Sequence, residues 1–174
     1  AEKLALPYFI FTSNVDGQFQ KAGFSPKQIY ECHGSIHHLQ CLASCTAEIW
    51  SGDDISPEID HLNCQWLDDL PHCKHCGGLA RPNILMFDDY EWIAQRQTQQ
   101  RNRLESFINQ YKQPLVIEIG AGTAIPTVRY FSERFAPSLI RINPRDYALP
   151  KTGGIALAMN AAHGIQIIYD ISTT

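Results

Sequence analysis

Four of the six cysteines form two closely spaced pairs, a pattern that is typical of metal sites. Three residues separate Cys41 from Cys45, two separate Cys73 from Cys76, and a polar stretch of 27 residues lies between the pairs. Each short turn directs two sulfur atoms to one side, so that four thiolates can converge tetrahedrally on one zinc ion. Because four thiolates leave no open coordination position, we predict one structural Zn²⁺.

The cysteine count alone leaves other interpretations open. An even number of cysteines also fits disulfides in a secreted domain, and the plainest alternative for these four is structural thiols or a disulfide. His72 and His75 flank the second pair and could replace one of its cysteines as a ligand. Cys32 and Cys64 remain outside the paired scheme.

A second set of chemically useful residues follows short apolar stretches. The segment TSNVDG (12–17) comes after PYFIF, and ECHGS (31–35) lies within a second extended stretch. His33 is the candidate general base, because the unperturbed pKa of histidine lies near neutrality. A single histidine is more often a packing or surface residue, and we interpret the neighbouring His37 and His38 as structural or exposed.

The segment IGAG (119–122) resembles the start of a dinucleotide-binding turn. It follows the apolar stretch PLVIE, and its glycines would let backbone amides approach a phosphate near a helix N-terminus. The third glycine of the full motif is missing, and such shortened turns are common in α/β folds. The segment alone therefore leaves a nucleotide contact and an ordinary turn both open.

The elements that must position these residues alternate between strands and helices. Apolar runs rich in β-branched and aromatic residues predict strands, and apolar residues at helical spacing predict helices. We predict extended segments at 7–12, 28–40, 114–122, 138–144 and 164–171, and helices at 18–22, 90–112 and 123–135. This order implies parallel βαβ units, and therefore an α/β protein with a Rossmann-like doubly wound parallel sheet that binds ligands at the carboxyl ends of its strands.

The composition changes at Cys41 and changes back after about residue 81. Between these points Asp, Ser, Cys and His outnumber the aliphatic residues that could build a core, so a metal must hold the stretch. We predict a small zinc-binding module at 41–83, inserted between two parts of the Rossmann-like domain at 1–40 and 84–174.

Bulk properties exclude several classes of partner. A formal net charge of -4, with no stripe of Lys and Arg along the sequence, argues against general nucleic-acid binding. No apolar run approaches the roughly 18 residues of a membrane span, and the first residues lack the features of a signal peptide. These observations predict a cytoplasmic protein without a membrane partner.

Six segments, in their order along the chain, resemble the sirtuin family of NAD-dependent protein-lysine deacylases. No one of them is specific, but six in register are, and they extend from Phe9 to about Pro144. They are IFTSNVDGQFQKAG, IYECHGSIHHLQC, the two cysteine pairs, CGGLARPNILMFDD, LVIEIGAGTAIP and LIRINP.

The resemblance implies a reaction and a catalytic group. The family's catalytic histidine matches His33, and the Asn and Asp of its TQNID motif match Asn14 and Asp16, beside the nicotinamide end of NAD⁺. The motif's Gln matches Ser13, a shorter side chain. The carbonyl oxygen of an acyl-lysine attacks the anomeric carbon as nicotinamide leaves, and His33 accepts a proton from a ribose hydroxyl, giving free lysine and O-acyl-ADP-ribose.

The resemblance also implies where the two substrates bind. ARPNILMFDD matches the segment that pairs with the acylated protein or peptide as a β-strand, with Ile84, Leu85 and Phe87 along the substrate. Where the family has Gly in its FGE sequence, this chain has Asp88, which lacks glycine's freedom to adopt φ > 0. The residues implied near NAD⁺ in the other half of the chain are Gly120, Gly122, Thr123 and Asn143.

The family's first strand and its GAGxS loop, which binds the NAD⁺ phosphates, match nothing in the chain. We therefore expect an N-terminally incomplete sheet, and a chain that alone binds NAD⁺ poorly and turns over little. Two alternatives stay open, namely an NAD⁺-dependent ADP-ribosyltransferase or NAD⁺ hydrolase, and a catalytically silent zinc-stabilised binding module. The acyl group, the protein substrate and the oligomeric state are left undecided.

Overall fold

The computed structural model describes residues 5–173, which divide into two compact units. The first ends at Ser106, the second begins at Phe107, and helix α2 (Gln95–Tyr111) includes the boundary. The first unit also contains helix α1 (Gln18–Lys21), one turn of 3-10 helix (Pro26–Gln28) and seven strands, β1 (Ile10–Thr12), β2 (Ile29–Glu31), β3 (Gly34–Cys41), β4 (Ile49–Ser51), β5 (Ile59–Asp60), β6 (Gln65–Trp66) and β7 (Ala80–Ile84). The second contains β8 (Val116–Ile119), α3 (Thr127–Glu133), β9 (Leu139–Ile142), β10 (Ile155–Leu157) and α4 (Ala161–Thr173).

Strands β1 and β2 form a short parallel pair that helix α2 holds in place. Thr12 pairs with Glu31, and the Cys32 amide extends the ladder by donating to the Thr12 carbonyl at 3.0 Å. Glu31 is only 1 % exposed, and α2 compensates its buried carboxylate through hydrogen bonds from Arg96 and Gln100. Buried carboxylates of this kind persist only when they are paired and hydrogen-bonded.

Strands β4, β3 and β7 form an antiparallel sheet in that order, and a glycine allows β3 and β7 to approach closely. Gly34 has φ of 85°, and a Cβ built on it would lie 1.9 Å from the Asn83 carbonyl oxygen. Only glycine fits that backbone at that distance. Beside it, Nδ2 of the buried Asn83 side chain donates to Gln40 Oε1 at 2.8 Å, which adds a side-chain hydrogen bond between the two strands.

The second unit is built on three parallel strands in the order β10-β9-β8. Its interior contains an ion-pair network in which the fully buried Arg141 contacts Glu118 through Nε at 2.5 Å and Nη2 at 2.9 Å, and Glu133 through Nη2 at 2.8 Å. Burial by itself opposes the charge of Arg141, but the two carboxylates outweigh it and the pKa of Arg141 is raised.

Most of the predicted elements are confirmed, but the last predicted strand is wrong. Residues 164–171 belong to helix α4, and strand β10, which precedes this helix, was not predicted from the sequence. A continuous apolar run does not distinguish a strand from a helix. Two other features favour a helix here. Asn160 Oδ1 caps the helix by accepting a hydrogen bond from the His163 backbone amide at 2.9 Å. Gly164 lets the helix approach Ile142 closely, because a Cβ on residue 164 would lie only 2.6 Å from the Ile142 side chain.

Among the described residues, no helix combines the length and the apolar character that crossing a membrane requires.

Candidate active site and zinc site

The four predicted metal ligands come together at the end of β3. Cys41 Sγ lies 3.7 Å from Cys76 Sγ, Cys45 Sγ lies 3.6 Å from Cys73 Sγ, and all four sulfur atoms lie within 4.8 Å of one another. A tetrahedral zinc ion with Zn–S bonds of about 2.3 Å places its sulfurs roughly 3.8 Å apart. The cluster therefore fits one structural zinc.

Hydrogen bonds from backbone amides lower the pKa of two of these thiols. The amide of Cys45 lowers the pKa of the Cys41 thiol to about 6, and the amide of Cys76 lowers the pKa of Cys73. The pKa of Cys45 is instead raised, first by the Cys41 sulfur, because closely spaced sulfurs share protons. A bound Zn²⁺ favours the thiolate form of all four ligands.

The turns between the cysteines explain how two distant pairs converge. The Leu42 amide donates to the Leu79 carbonyl at 3.0 Å, which joins the end of β3 to the start of β7 beside the metal site. Gly77, with φ of 72°, closes the second turn by donating to the Cys73 carbonyl at 2.9 Å. This geometry requires the two pairs to face each other.

The alternatives to four cysteine ligands are not supported. All six cysteines are free, so the described residues contain no disulfide. In the part of the chain that the structure describes, the cluster of potential metal ligands consists of the four cysteines alone. His75 Nε2 instead lies 2.5 Å from Glu48 Oε2, and His72 forms an isolated β-bridge with Leu79.

The predicted catalytic residues of the first unit follow two neighbouring parallel strands. Ser13, Asn14 and Asp16 come directly after β1, and His33 comes after β2. The backbone amide of Asn14 donates to Thr12 Oγ1 at 3.0 Å, which fixes the start of the first loop. Asn14 is exposed, whereas Ser13, Asp16 and His33 are half-buried. Because the two strands are parallel, these polar groups lie at the same edge of the pair, where α/β folds bind ligands.

The segment predicted to bind the peptide begins beside His33. Ile84 is paired with Gly34, and the Leu85 amide donates to the His33 carbonyl at 3.0 Å, so β7 and its continuation fix the backbone of the histidine. Phe87 is 84 % exposed and has room to contact a partner. In the described sheet β7 is the last strand of the order β4-β3-β7.

An ion pair closes the loop after β7. Arg81 contacts Asp89 through Nη1 and Nη2, each at 2.8 Å. Burial by itself would raise the pKa of the Asp89 carboxyl, but the Arg81 guanidinium together with the backbone amides of Met86 and Glu91 outweighs it, and the pKa is lowered. Asp88, which lies between Phe87 and Asp89, has φ of 54°. The position therefore adopts a positive φ without glycine.

The remaining predicted site residues surround the ends of β8 and β9 in the second unit. Gly120 has φ of 66°, and it is exposed together with Gly122 and Thr123. Asn143 is only 5 % exposed. Its Nδ2 donates to the Ala121 carbonyl at 3.1 Å, and its Oδ1 accepts the amides of Arg145 and Asp146 at 3.0 and 2.9 Å.

Asn143 thus ties the turn after β8 to the loop after β9. Its role as a contact to NAD⁺ stays a prediction, as do the roles of the other site residues. The structure groups the first unit's residues at the ends of β1, β2 and β7, and the second unit's residues at the ends of β8 and β9.

Two sets of supporting residues escaped the sequence reasoning. The first is the close approach of Gly34 to the Asn83 carbonyl next to His33, for which the HG dipeptide gave only a weak signal. The second is the network around Arg141, and here the signal was present. Glu118 and Arg141 are charged residues inside otherwise apolar strand segments, LVIEI and LIRI, and such residues are rarely buried unless they are paired.

Known proteins with similar sequences and folds belong to one family. The model of the Sir2 family matches residues 2–120. The chain is 24 % identical over 165 residues to an NAD-dependent protein deacylase of Aquifex aeolicus (strain VF5), which covers 94 % of this chain and 61 % of the relative. Two curated relatives match this chain over most of its own length. The chain spans about three fifths of the length of each of these relatives.

Solved structures support the same fold. A structure described as the structural basis for sirtuin substrate affinity superposes with a TM-score of 0.66 at 19 % identity, covering 99 % of this chain and 68 % of the other. A Sir2 protein bound to a propionylated peptide superposes with a TM-score of 0.59 at 19 % identity, covering 99 % and 67 %. At this identity the likeness concerns the fold, and it confirms the predicted Rossmann-like α/β class.

Proposed function

Because this chain belongs to the Sir2 family, we propose that the protein removes acyl groups from lysine side chains of proteins with consumption of NAD⁺. The observation that carries the proposal is the placement of His33 and the Asn14–Asp16 loop at the carboxyl ends of two paired parallel strands. The products would be nicotinamide, free lysine and O-acyl-ADP-ribose.

The chemistry assigned to His33 is general-base catalysis. The acyl carbonyl oxygen attacks the anomeric carbon of NAD⁺, and the bond to nicotinamide breaks. His33 then takes the proton of one ribose hydroxyl, so that the neighbouring hydroxyl can attack the imidate carbon. One water molecule then adds to this carbon, the lysine amine leaves, and O-acyl-ADP-ribose remains. Asp16 would hold the nicotinamide carboxamide, and Asn14 would orient the ribose or a water. Ser13 would lie beside them at the cofactor but reaches less far toward the ribose than the motif's Gln. The fixed backbone around Gly34 and Leu85 supports this role, because a general base must be held in reach of its proton.

The segment 84–87 is proposed to bind the acylated peptide. The position of β7 at the end of its described sheet supports this, because an extended peptide can add to such an edge through backbone hydrogen bonds. Leu85 and the exposed Phe87 would line the tunnel for the acyl-lysine, and Ile84 would contact the peptide beside them.

The second unit is proposed to hold part of NAD⁺. Gly120, Gly122 and Thr123 are exposed at a turn after a parallel strand, and a Cβ on either glycine would meet nothing within 4 Å, so a ligand can approach the backbone there. Asn143 would act on the cofactor through the turn that it holds. The zinc module at 41–83, inserted between 1–40 and 84–174, would be structural, since its four thiolates leave no open position.

We further propose that the protein acts in the cytoplasm and has no general affinity for nucleic acid. Four reduced cysteines in metal-site geometry are typical of a reducing compartment. The net charge of -4 opposes attraction to a polyphosphate backbone.

The proposal is tested by incubating the purified, zinc-loaded protein with NAD⁺ and an acetyl-lysine peptide, and by measuring peptide and nucleotide products by mass spectrometry. We expect deacylated peptide and O-acetyl-ADP-ribose in equal amounts, formed slowly by this chain alone and faster when a sirtuin GAGxS segment is supplied. His33→Ala should abolish both products, and the exposed His163→Ala should leave the rate unchanged. ADP-ribosylated product without deacylation would replace the proposal with an ADP-ribosyltransferase. A folded, zinc-bound protein without turnover even when that segment is supplied would replace it with a silent binding module.

A further inference from the structure

The first unit contains a cavity to which neither the proposed reaction nor the zinc site gives a role. Its volume is about 780 Å³, which is in the size range of small-molecule sites. It is lined by parts of α1, β3 and the first half of α2, together with Asp53. All of these residues belong to the first unit.

The charged side chains around this cavity are mainly basic. Lys21, Arg96 and Arg103 line it, against one carboxylate, that of Asp53. That carboxylate is already engaged, because Oδ1 lies 3.2 Å from His37 Nδ1 and Oδ2 accepts the Ser51 hydroxyl at 3.0 Å. Lys21 and Arg103 carry exposed charges, and the carbonyl of Lys27 is the acceptor for Arg103 Nε at 3.1 Å. The cavity therefore has a surplus of positive charge.

Two buried nitrogen atoms of lining residues lack a hydrogen-bond partner among the described residues. Arg96 uses Nη2 to bind Glu31, whereas its Nη1 is buried and unpaired. His38 Nδ1 is also buried and unpaired. Burial first, and Arg96 second, lower the pKa of the His38 imidazole. Buried polar nitrogens without partners are rare in native proteins, and a bound ion or water is one explanation for them.

We propose that this cavity binds a small phosphorylated molecule through Arg96, Arg103 and Lys21. A guanidinium fork matches two phosphate oxygens, and a phosphoryl group offers three strong acceptors and close to two negative charges. Glu31 already balances the charge of Arg96, which contributes an N–H donor, whereas Lys21 and Arg103 contribute two further charges. This set complements a phosphoryl group better than a carboxylate, which carries one charge. The inference goes beyond the proposed function, because the ligand is neither NAD⁺ at the ends of the parallel strands nor the peptide at β7.

The test is calorimetric titration of the zinc-loaded protein with inorganic pyrophosphate at low salt, without NAD⁺ or peptide. We expect one pyrophosphate per chain, with Kd of about 1 mM or tighter. The double variant Lys21→Gln/Arg103→Gln should weaken binding at least about tenfold, which corresponds to the loss of one charge-assisted hydrogen bond. Both side chains are exposed, so the variant should keep its zinc and its helical circular dichroism.

The matched control is Arg101→Gln, which removes the same charge from the same helix at a position outside the cavity lining. It should change Kd by less than about twofold, since Arg101 does not line the cavity and its charge is paired with Glu105 at 3.8 Å. The proposal is overturned if the wild-type protein does not bind pyrophosphate, if the double variant binds as tightly, or if the control loses as much affinity. Equally tight binding of citrate would overturn the assignment to a phosphoryl ligand. Because no arm contains NAD⁺, failure here leaves the deacylase assay unaffected.

Discussion

The segment 41–83 and the second unit both contain short strands, but different interactions hold them. In 41–83 the buried residues are Cys41, Cys73, Ala80 and Asn83, and large apolar side chains such as Leu62, at 95 %, are exposed. The second unit buries Leu139 and Ile142 and surrounds Arg141 with two carboxylates. One region depends on metal coordination and the other on packing and buried charge, so the two should respond to different perturbations.

The largest expected effect is that of removing zinc. Structural zinc in small modules supplies about 10 kcal/mol or more of folding free energy at neutral pH. A strong chelator, or Cys73→Ser, should therefore abolish hydrogen-exchange protection in β3 to β7. The amides of β8 and β9 should stay protected, and equal loss of protection in both regions would contradict the comparison. Cys64→Ser, at an exposed cysteine outside the cluster, is the matched control.

The next effect tests the second unit. Arg141→Met leaves the Glu118 carboxylate buried without its partner, and breaking a buried pair in this way costs about 3–5 kcal/mol. Urea unfolding should show that loss, while the zinc content stays at one ion per chain. In the double variant Arg141→Met/Glu118→Gln most of the stability should return, because the uncompensated charge is gone. A double variant as unstable as Arg141→Met would show that buried charge is not the cause.

A smaller effect is expected at the contact between β3 and β7. Gly34→Ala introduces a Cβ that would lie 1.9 Å from the Asn83 carbonyl and forces alanine to adopt φ of 85°. We expect a loss of about 2–3 kcal/mol of stability and a much lower deacylation rate, since His33 precedes the glycine. Gly23→Ala is the control, because it shares the positive φ of 92° but has no atom within 4 Å of its Cβ. A similar loss in both variants would mean that φ alone, and not the close approach, fixes Gly34.

The smallest expected effect is a gain. Asp88 has φ of 54°, which glycine adopts without the steric cost that a Cβ brings. Asp88→Gly should therefore raise the free energy of unfolding, measured by urea denaturation, by less than about 1 kcal/mol, without altering zinc content. A clear destabilisation would show that the aspartate side chain makes a contribution larger than the backbone strain.

The sequence predicted the metal site better than the interior of the second unit, for a physical reason. Ligand spacing within Cys41–Cys45 and Cys73–Cys76 is a local property, so the residue types alone indicate a tetrahedral site. The pairing of Glu118 with Arg141 joins residues 23 positions apart and depends on the register of β8 with β9. The apolar run of α4 gave the wrong element because its cap, Asn160, and its contact with Ile142 decide the conformation.

Strand β3 begins directly after His33 and ends at Cys41. Eight residues of extended chain span on the order of 25 Å, and β7 braces the strand on one side at both ends. Oxidants and thiophilic heavy metals attack thiolates, so they would reach the cysteine cluster first. Oxidation of the cluster should therefore shift the backbone of His33 at the other end of the strand without any chemical change to the histidine itself.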